Sequence, residues 1–251
     1  MPHDHIVQCI HDPILAVLSF MVSVLGSFTA LQLAIGIPQA RTSAQRWQAL
    51  LAAGAAMGGG GIWAMHFIAM LACQMDIPVA YGPGLTVLSA VFAIGACMAG
   101  LAIAGIGVFS WGKLVMAGTC MGLGVASMHY TGMAAMRMPA TTEYVTEIVV
   151  LSVLIAIVAS TAALWLAFNL RGWPQMLGSA LVMGIAVCGM HYTGMYAAQF
   201  MPTGEDPMVA TAGGVSGDYL GMGVFAVATL LLTVMLITTM LRRQRRASVT
   251  I

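Results

Sequence analysis

The sequence predicts an all-α polytopic membrane bundle of seven transmembrane helices. Hydrophobic residues make up 60% of the 251 positions, charged residues only 7%, and mean hydropathy is +0.94. A water-soluble surface needs far more Lys, Glu, Asp and Arg than this. A spanning helix needs about 20 mostly apolar residues, and seven such runs are read at 13–37, 47–72, 84–108, 113–137, 147–169, 175–199 and 218–241.

The first run follows Met-Pro-His-Asp-His, which has no positive n-region, and it is too long for a signal h-region, so it is read as an uncleaved span. Run two carries Gly58-Gly59-Gly60-Gly61 without a preceding strand or a following Lys-Ser/Thr. It is therefore a close-packing or bent segment and not a phosphate loop. The third opens on Leu88-Ser89, in register with Leu18-Ser19 of the first and Leu151-Ser152 of the fifth. Runs four and six hold the sequence's most informative motif, described below. The seventh ends at Arg242, Arg243, Arg245 and Arg246.

That cluster, with Arg41, Arg46, Lys113 and Arg171, follows odd-numbered helices, so the positive-inside rule places these loops and the C-terminus in the cytoplasm and the N-terminus outside. All eight acidic residues (Asp4, Asp12, Asp76, Glu143, Glu147, Glu205, Asp206 and Asp218) then lie on the outer side. Arg137 is the one basic exception there, expected to snorkel or to pair with Glu143 or Glu147. The chain divides into a seven-helix domain, 1–241, and a short basic cytoplasmic tail, 242–251. Arginines directly after a last helix are a membrane anchor, so the bilayer is the expected partner and no nucleic acid is implied.

Five cysteines form no Cys-x-x-Cys pair. Cys97, Cys120 and Cys188 fall within helices, and all five are read as small buried hydrophobes. A disulfide is conceivable only between Cys9 and Cys73, near the oxidising side. His3, His5 and His11 precede the first helix. His-x-His spacing suits metal capture, but a plain histidine-bearing tail is the favoured reading.

Met-His-Tyr-Thr-Gly-Met occurs at 128–133 and 190–195, with a degenerate copy, Met-His-Phe-Ile-Ala-Met, at 65–70. The histidines His66, His129 and His191 are 63 and 62 residues apart, the period of two spans and two loops, so the chain is read as three helical hairpins plus a seventh helix. Glycine stands seven residues before each histidine (Gly59, Gly122, Gly184), on nearly the same helical direction, which marks the histidine face as the packed one. The rise from Trp47, Lys113 and Trp173 places all three imidazoles roughly 24–28 Å across, in one layer of the outer leaflet.

An ionisable residue inside a membrane is a functional candidate by default. Each histidine has a methionine four residues on, on the same face (Met70, Met133, Met195), and another directly before it (Met65, Met128, Met190). Imidazole with thioether is a soft donor set that suits copper, Cu(I) above all, better than Mg, Ca or Mn. Met21, Met98, Met116, Met176, Met183, Met222, Met235 and Met240 are read as core or lipid-facing side chains.

With these motifs the chain resembles the MHYT family, a bacterial integral-membrane sensory domain, over nearly the whole helical region. The resemblance implies a multi-pass protein of the bacterial inner membrane in which Met, His and Tyr near the outer face coordinate copper and, through it, sense a diatomic gas such as oxygen, CO or NO. Its motif residues carry over to Met65 and His66, to Met128, His129 and Tyr130, and to Met190, His191 and Tyr192. Tyr130 and Tyr192 would hydrogen-bond a metal-bound ligand or orient an imidazole. Phe67 in the first copy departs from the pattern, which puts a role for three phenols in doubt. Family members often carry cytoplasmic cyclic-dinucleotide domains. Only about ten residues follow the seventh run, so a separate cytoplasmic signalling partner or a trimmed module is expected.

Two other readings stand beside this one. Paired histidines could ligate a b-type haem in a redox protein. Copper transport ranks last, because the inner halves of the even helices show no charge, histidine or comparable methionine ladder. No carboxylate sits securely within a span and no nucleophile–base pair is evident, so an enzyme is not expected.

Overall fold

A computed structural model describes residues 7–169 and 172–248, with side chains to residue 241. Asp4, His3, His5, Arg171 and the side chains of the four C-terminal arginines lie outside the described residues.

Helix starts follow local chemistry. In α1 (Pro13–Ala34) the Asp12 carboxylate accepts from the backbone N–H groups of Ile14 and Leu15, and Pro13 occupies the first helical position, where its missing N–H costs nothing. A short α2 (Gly36–Gln39) prolongs it. Capped by Thr42, α3 (Ser43–Gly54) continues without interruption through a π-helical segment, Ala55–Trp63, into α4 (Ala64–Ala72). Then come α5 (Pro83–Gly105), α6 (Trp111–Ala134, capped by Ser110), α7 (Thr146–Asn169) and α8 (Trp173–Tyr196). A one-turn α9 (Pro207–Ala210) and α10 (Gly217–Ser248) close the chain.

Among the described residues, six stretches are long and apolar enough to cross a membrane: Pro13–Gln39, Ser43–Ala72, Pro83–Gly105, Thr146–Asn169, Trp173–Tyr196 and Gly217–Leu241. Seven were expected, and one of the seven is not among them. Helix α6 has 24 residues, as many as α7, but Lys113, His129 and several glycines dilute its hydropathy, and it is not among the six.

Six helical rods close a ring in which each packs on the next, from α1 through Ser43–Ala72, α5, α6, α7 and α8 back to α1. The histidine-bearing and the intervening rods alternate around it. Outside the ring, α10 rests on α1 and α4. At one end, short antiparallel strands tie the entry of each odd rod to the exit of its hairpin partner: β1 (Ile10–His11) with β2 (Cys73–Gln74), β3 (Ala80–Tyr81) with β4 (Met136–Arg137), and β5 (Ala140–Tyr144) with β6 (Ala198–Pro202). A further strand, β7 (Val215–Ser216), joins the middle group beside β3. The pairings put all three even-rod ends, and so all three histidine motifs, at one pole.

Arg137 sits in β4 and donates to the Ala212 carbonyl instead of pairing with Glu143 or Glu147. Lys113, at the opposite pole, donates to the Ile106 carbonyl at the end of α5.

The glycine register needs one correction. Gly122 approaches α7 so closely that an added Cβ would fall 2.5 Å from the Ile157 Cα, and Gly184 approaches Val24 of α1 at 2.7 Å. Their counterpart in the second rod is Gly58, where a Cβ would lie 2.4 Å from the Ala93 carbonyl oxygen of α5, while Gly59 has only ordinary contacts. A π-helical turn holds more residues than an α-helical one, so the segment shifts the packing face by one position. Gly26 and Gly61 let the backbones of α1 and the π segment touch. The glycine run is thus a close-packing segment, as expected.

Candidate metal centre

The three histidines meet. His66, His129 and His191 are each 0% exposed, with ring centroids 5.0, 5.0 and 5.1 Å apart and ring planes near perpendicular. Their Nδ1 atoms point at one another: His66 to His191 is 3.1 Å and His129 to His66 is 3.2 Å. All three ligand atoms lie within 4.8 Å of one another.

Hydrogen bonding alone leaves this arrangement incomplete. A neutral imidazole has one N–H and one lone pair, so His66 Nδ1 cannot form a full bond to both neighbours. The Nε2 atoms of all three rings are buried without a partner. Each orphaned buried polar atom costs about 1–3 kcal/mol. A metal ion resolves the inner half of the problem by accepting three lone pairs at once. A tetrahedral ion holding nitrogens at about 2.0–2.1 Å sets them about 3.3–3.4 Å apart, close to the observed 3.1 and 3.2 Å. The residues therefore fit a metal ion.

Two glycines shape the rings' outer edges. An added Cβ at Gly132 would lie 2.4 Å from His66 Nε2, and one at Gly194 would lie 2.3 Å from His129 Nε2. These are the motif glycines of the second and third copies, each cradling the histidine of the copy before it. Alanine 69 holds the corresponding place in the first copy.

The six motif methionines are all buried, and five of them divide between two core clusters. Met128 and Met190 join the large inner core cluster, whereas Met70, Met133 and Met195 join the cluster under the strands. Met65, 0% exposed, belongs to neither.

Neither tyrosine hydroxyl is hydrogen-bonded to an imidazole. Tyr130 stacks edge-on against His129 at 4.9 Å while its hydroxyl meets the Ser152 hydroxyl at 2.6 Å. Tyr192 stacks likewise on His191 at 5.0 Å, and its hydroxyl faces Ser19 without a hydrogen bond of ordinary geometry. In the first copy Phe67 has no hydroxyl, and Trp63, one turn earlier, takes over: its indole N–H donates to Ser89 Oγ at 3.0 Å. Ser19, Ser89 and Ser152 are each 0% exposed and each donates to the carbonyl three residues back. The Leu-Ser register of the odd helices was the available signal for this ring of anchors, yet nothing tied it to the histidines. Trp63 had no such signal.

Near the strands, Cys9 and Cys73 are joined in a disulfide, with Cα atoms 5.2 Å apart, which corrects the small-hydrophobe reading for this pair. Pairing of β1 with β2 brings them together. Cys97, Cys120 and Cys188 are free, and Cys120 is exposed rather than buried. His11 lies 3.6 Å from Cys9 Sγ and packs edge-on against Tyr192 at 5.2 Å, so it is joined to the centre through one aromatic ring. Burial holds its pKa below the ordinary histidine value.

Beneath the histidines, Met57, Met121, Met183 and Met190 line a cavity of about 20 Å³. The middle of each even rod therefore presents a methionine to a common space. Met183 is a core side chain, the first of the two readings given for it.

Comparison with known proteins completes the description. A family model described as "MHYT: Bacterial signalling protein N terminal repeat" matches three times, at residues 59–117, 122–180 and 184–250. The chain belongs to the MHYT family. Each MHYT match begins on a histidine-bearing rod, half a unit out of phase with the strand-tied hairpins. The chain is 40% identical over 248 residues to the bifunctional diguanylate cyclase/cyclic di-GMP phosphodiesterase MucR of Pseudomonas aeruginosa, covering 95% of this chain and 35% of MucR. It is 36% identical over 223 residues to the cyclic di-GMP phosphodiesterase NbdA of the same organism, covering 86% of this chain and 28% of NbdA. The signaling protein YkoW of Bacillus subtilis is 31% identical over 202 residues, covering 76% of this chain and 24% of YkoW. The chain thus spans about a third or less of these relatives' own lengths. No solved structure matches it.

Proposed function

We propose that this chain is the membrane sensory module of a bacterial cyclic-dinucleotide signalling system, with copper held by His66, His129 and His191 as the element that meets a diatomic gas. The convergence of three buried Nδ1 atoms carries the reading. Nitrogen ligands without a carboxylate suit copper better than a hard cation, and Met65, Met70, Met128, Met133, Met190 and Met195 are the nearest candidates for a supplementary sulfur ligand. Bound copper would supply an electron-rich site for oxygen, CO or NO. The protein's own contribution is to bury the rings, fix their Nδ1 atoms inward and keep bulk water away.

The haem alternative is less well supported, because a bis-histidine haem needs two imidazoles on opposite faces of a macrocycle. Nitrogens 3.1 Å apart leave no space for one.

In this reading α6 crosses the bilayer as a seventh span, since it lies in the ring between α5 and α7 and its length equals theirs to within one residue. The strand pole faces outward. The disulfide there suits an oxidising compartment, and the basic residues Arg41, Arg46 and Lys113 flank the opposite pole. Ligand binding would act by favouring one of two ring packings, read by a cytoplasmic signalling domain of the kind named in MucR and NbdA.

Infrared spectroscopy of the purified, Cu(I)-loaded protein under CO tests the gas step. A single carbonyl stretch that shifts with ¹³CO and vanishes in His66→Gln is expected. Absence of any copper-bound CO band would contradict gas binding at this centre.

A further inference from the structure

The cavity below the histidines is built by the same internal symmetry as the centre above it. Met121 and Met183 stand eight residues before His129 and His191, while Met57 stands nine before His66. The extra residue is absorbed by the π-helical segment Ala55–Trp63, the one-position shift already seen at Gly58. Met57, Met121 and Met183 therefore form one layer, exposed by only 1%, 2% and 4%, around the shared cavity. One turn nearer the histidines, Ile62, Val125 and Val187 form its collar. Ser27 and Ser160 add hydroxyls from α1 and α7.

We propose that this layer is a second metal site, in which the thioethers of Met57, Met121 and Met183 hold one soft monovalent cation of the Cu(I) or Ag(I) class. The methionine layer is distinct from the histidine centre, roughly 12 Å away along the helices at 1.5 Å per residue, with Met190 lining the cavity between the two. Its chemistry selects the ligand. Neutral sulfur donors bind soft Cu(I) and hold hard cations poorly. The lining contains no carboxylate to offset a divalent charge. A volume of about 20 Å³ is near the minimum that admits one water-sized sphere, so the space accepts a bare ion and not a hydrated one. Ordinary core methionines are flexible enough to fill an axial gap. Here three of them, related by the repeat, border a gap that stays open.

The test is metal stoichiometry and X-ray absorption on the detergent-purified full chain, loaded with Cu(I) under ascorbate and, in parallel, with Ag(I). Three variants accompany it: Met57→Leu/Met121→Leu/Met183→Leu, His66→Gln/His129→Gln/His191→Gln, and a control, Met21→Leu/Met116→Leu/Met222→Leu, at exposed methionines. Leucine conserves volume in the first. Loss of the sulfur-only scattering shell, with its one equivalent, is expected in the first variant alone, while the histidine variant loses the nitrogen-ligated equivalent and keeps that shell. Unchanged stoichiometry in the first variant, or a loss no greater than in the exposed-methionine control, would overturn the second site without touching the histidine centre. Should the triple leucine variant fail to fold, the single Met121→Leu variant decides: at least a tenfold weaker Ag(I) affinity supports the site, and unchanged affinity rejects it.

Discussion

His66 Nε2 rests against the backbone of Gly132, at a position where a single added methyl group would lie 2.4 Å from the nitrogen. The glycine of one motif copy thus sets the ring position in the copy before it. Gly194 does the same for His129 at 2.3 Å. The second and third copies therefore each present a histidine to the cluster and a recess for the ring of the copy before, whereas Ala69 stands at that place in the first copy.

Gly132→Ala and Gly194→Ala are each expected to push an imidazole out of the layer. Overpacking of this kind costs about 1–3 kcal/mol, and displacement should also weaken metal retention at least tenfold. Thermal unfolding in detergent together with bound-metal analysis checks both. A stable Gly132→Ala variant with full metal content would show that His66 has room to move.

The hydroxyl anchors should behave as equivalents despite their different chemistry. Tyr130→Phe removes the bond to Ser152, and Trp63→Phe removes the N–H that Ser89 Oγ and the Thr86 carbonyl share. Hydrogen bonds between membrane helices contribute about 0.6 kcal/mol on average and up to about 1.7, so each change should cost within that range. Double-mutant cycles with Ser152→Ala and Ser89→Ala measure the couplings, and a zero coupling for Trp63 with Ser89 would break the equivalence.

The Cys9–Cys73 bond closes a sequence separation of 64 residues. Loop closure of that size contributes about 2–4 kcal/mol in typical disulfides. Cys9→Ser/Cys73→Ser should therefore unfold at a lower temperature than the oxidised protein and at the same temperature as the reduced wild type. Differential scanning measurements with and without a dithiol reductant make the comparison.

Acid should loosen the strand-bearing pole through His11. Its folded pKa lies below the unfolded value of about 6.5 because burial disfavours the charged ring. Protonation therefore favours the unfolded state, so this contribution to stability is intact above pH of about 6.5 and is lost as pH falls below it. In His11→Asn that part of the pH dependence disappears. An identical profile in variant and wild type would exclude His11 as its source.

The sequence carried the site further than it carried the frame. Periods of 63 and 62 residues placed His66, His129 and His191 in one layer, and they do share a centre. Register failed where an irregular turn intervened: counting seven residues back from His66 selects Gly59, but the π-helical segment presents Gly58 instead. Trp63 was invisible because it replaces a phenol with an indole one turn away, a substitution of position as well as type. The short strands, only two residues long in β1 to β4, carry too little pattern to be seen, and with them went the proximity of Cys9 to Cys73. Met183 looked like any apolar helix residue, since its significance lies in what stands opposite it across the axis.

Metal content of the purified wild-type protein beside His66→Gln, His129→Gln and His191→Gln is the most direct test of the central claim. With copper at the histidine layer read separately from any sulfur-only component by X-ray absorption, wild type should show a nitrogen-ligated ion near one equivalent, and each single variant should lose most of it. Equal nitrogen-ligated copper in wild type and all three variants would contradict the account.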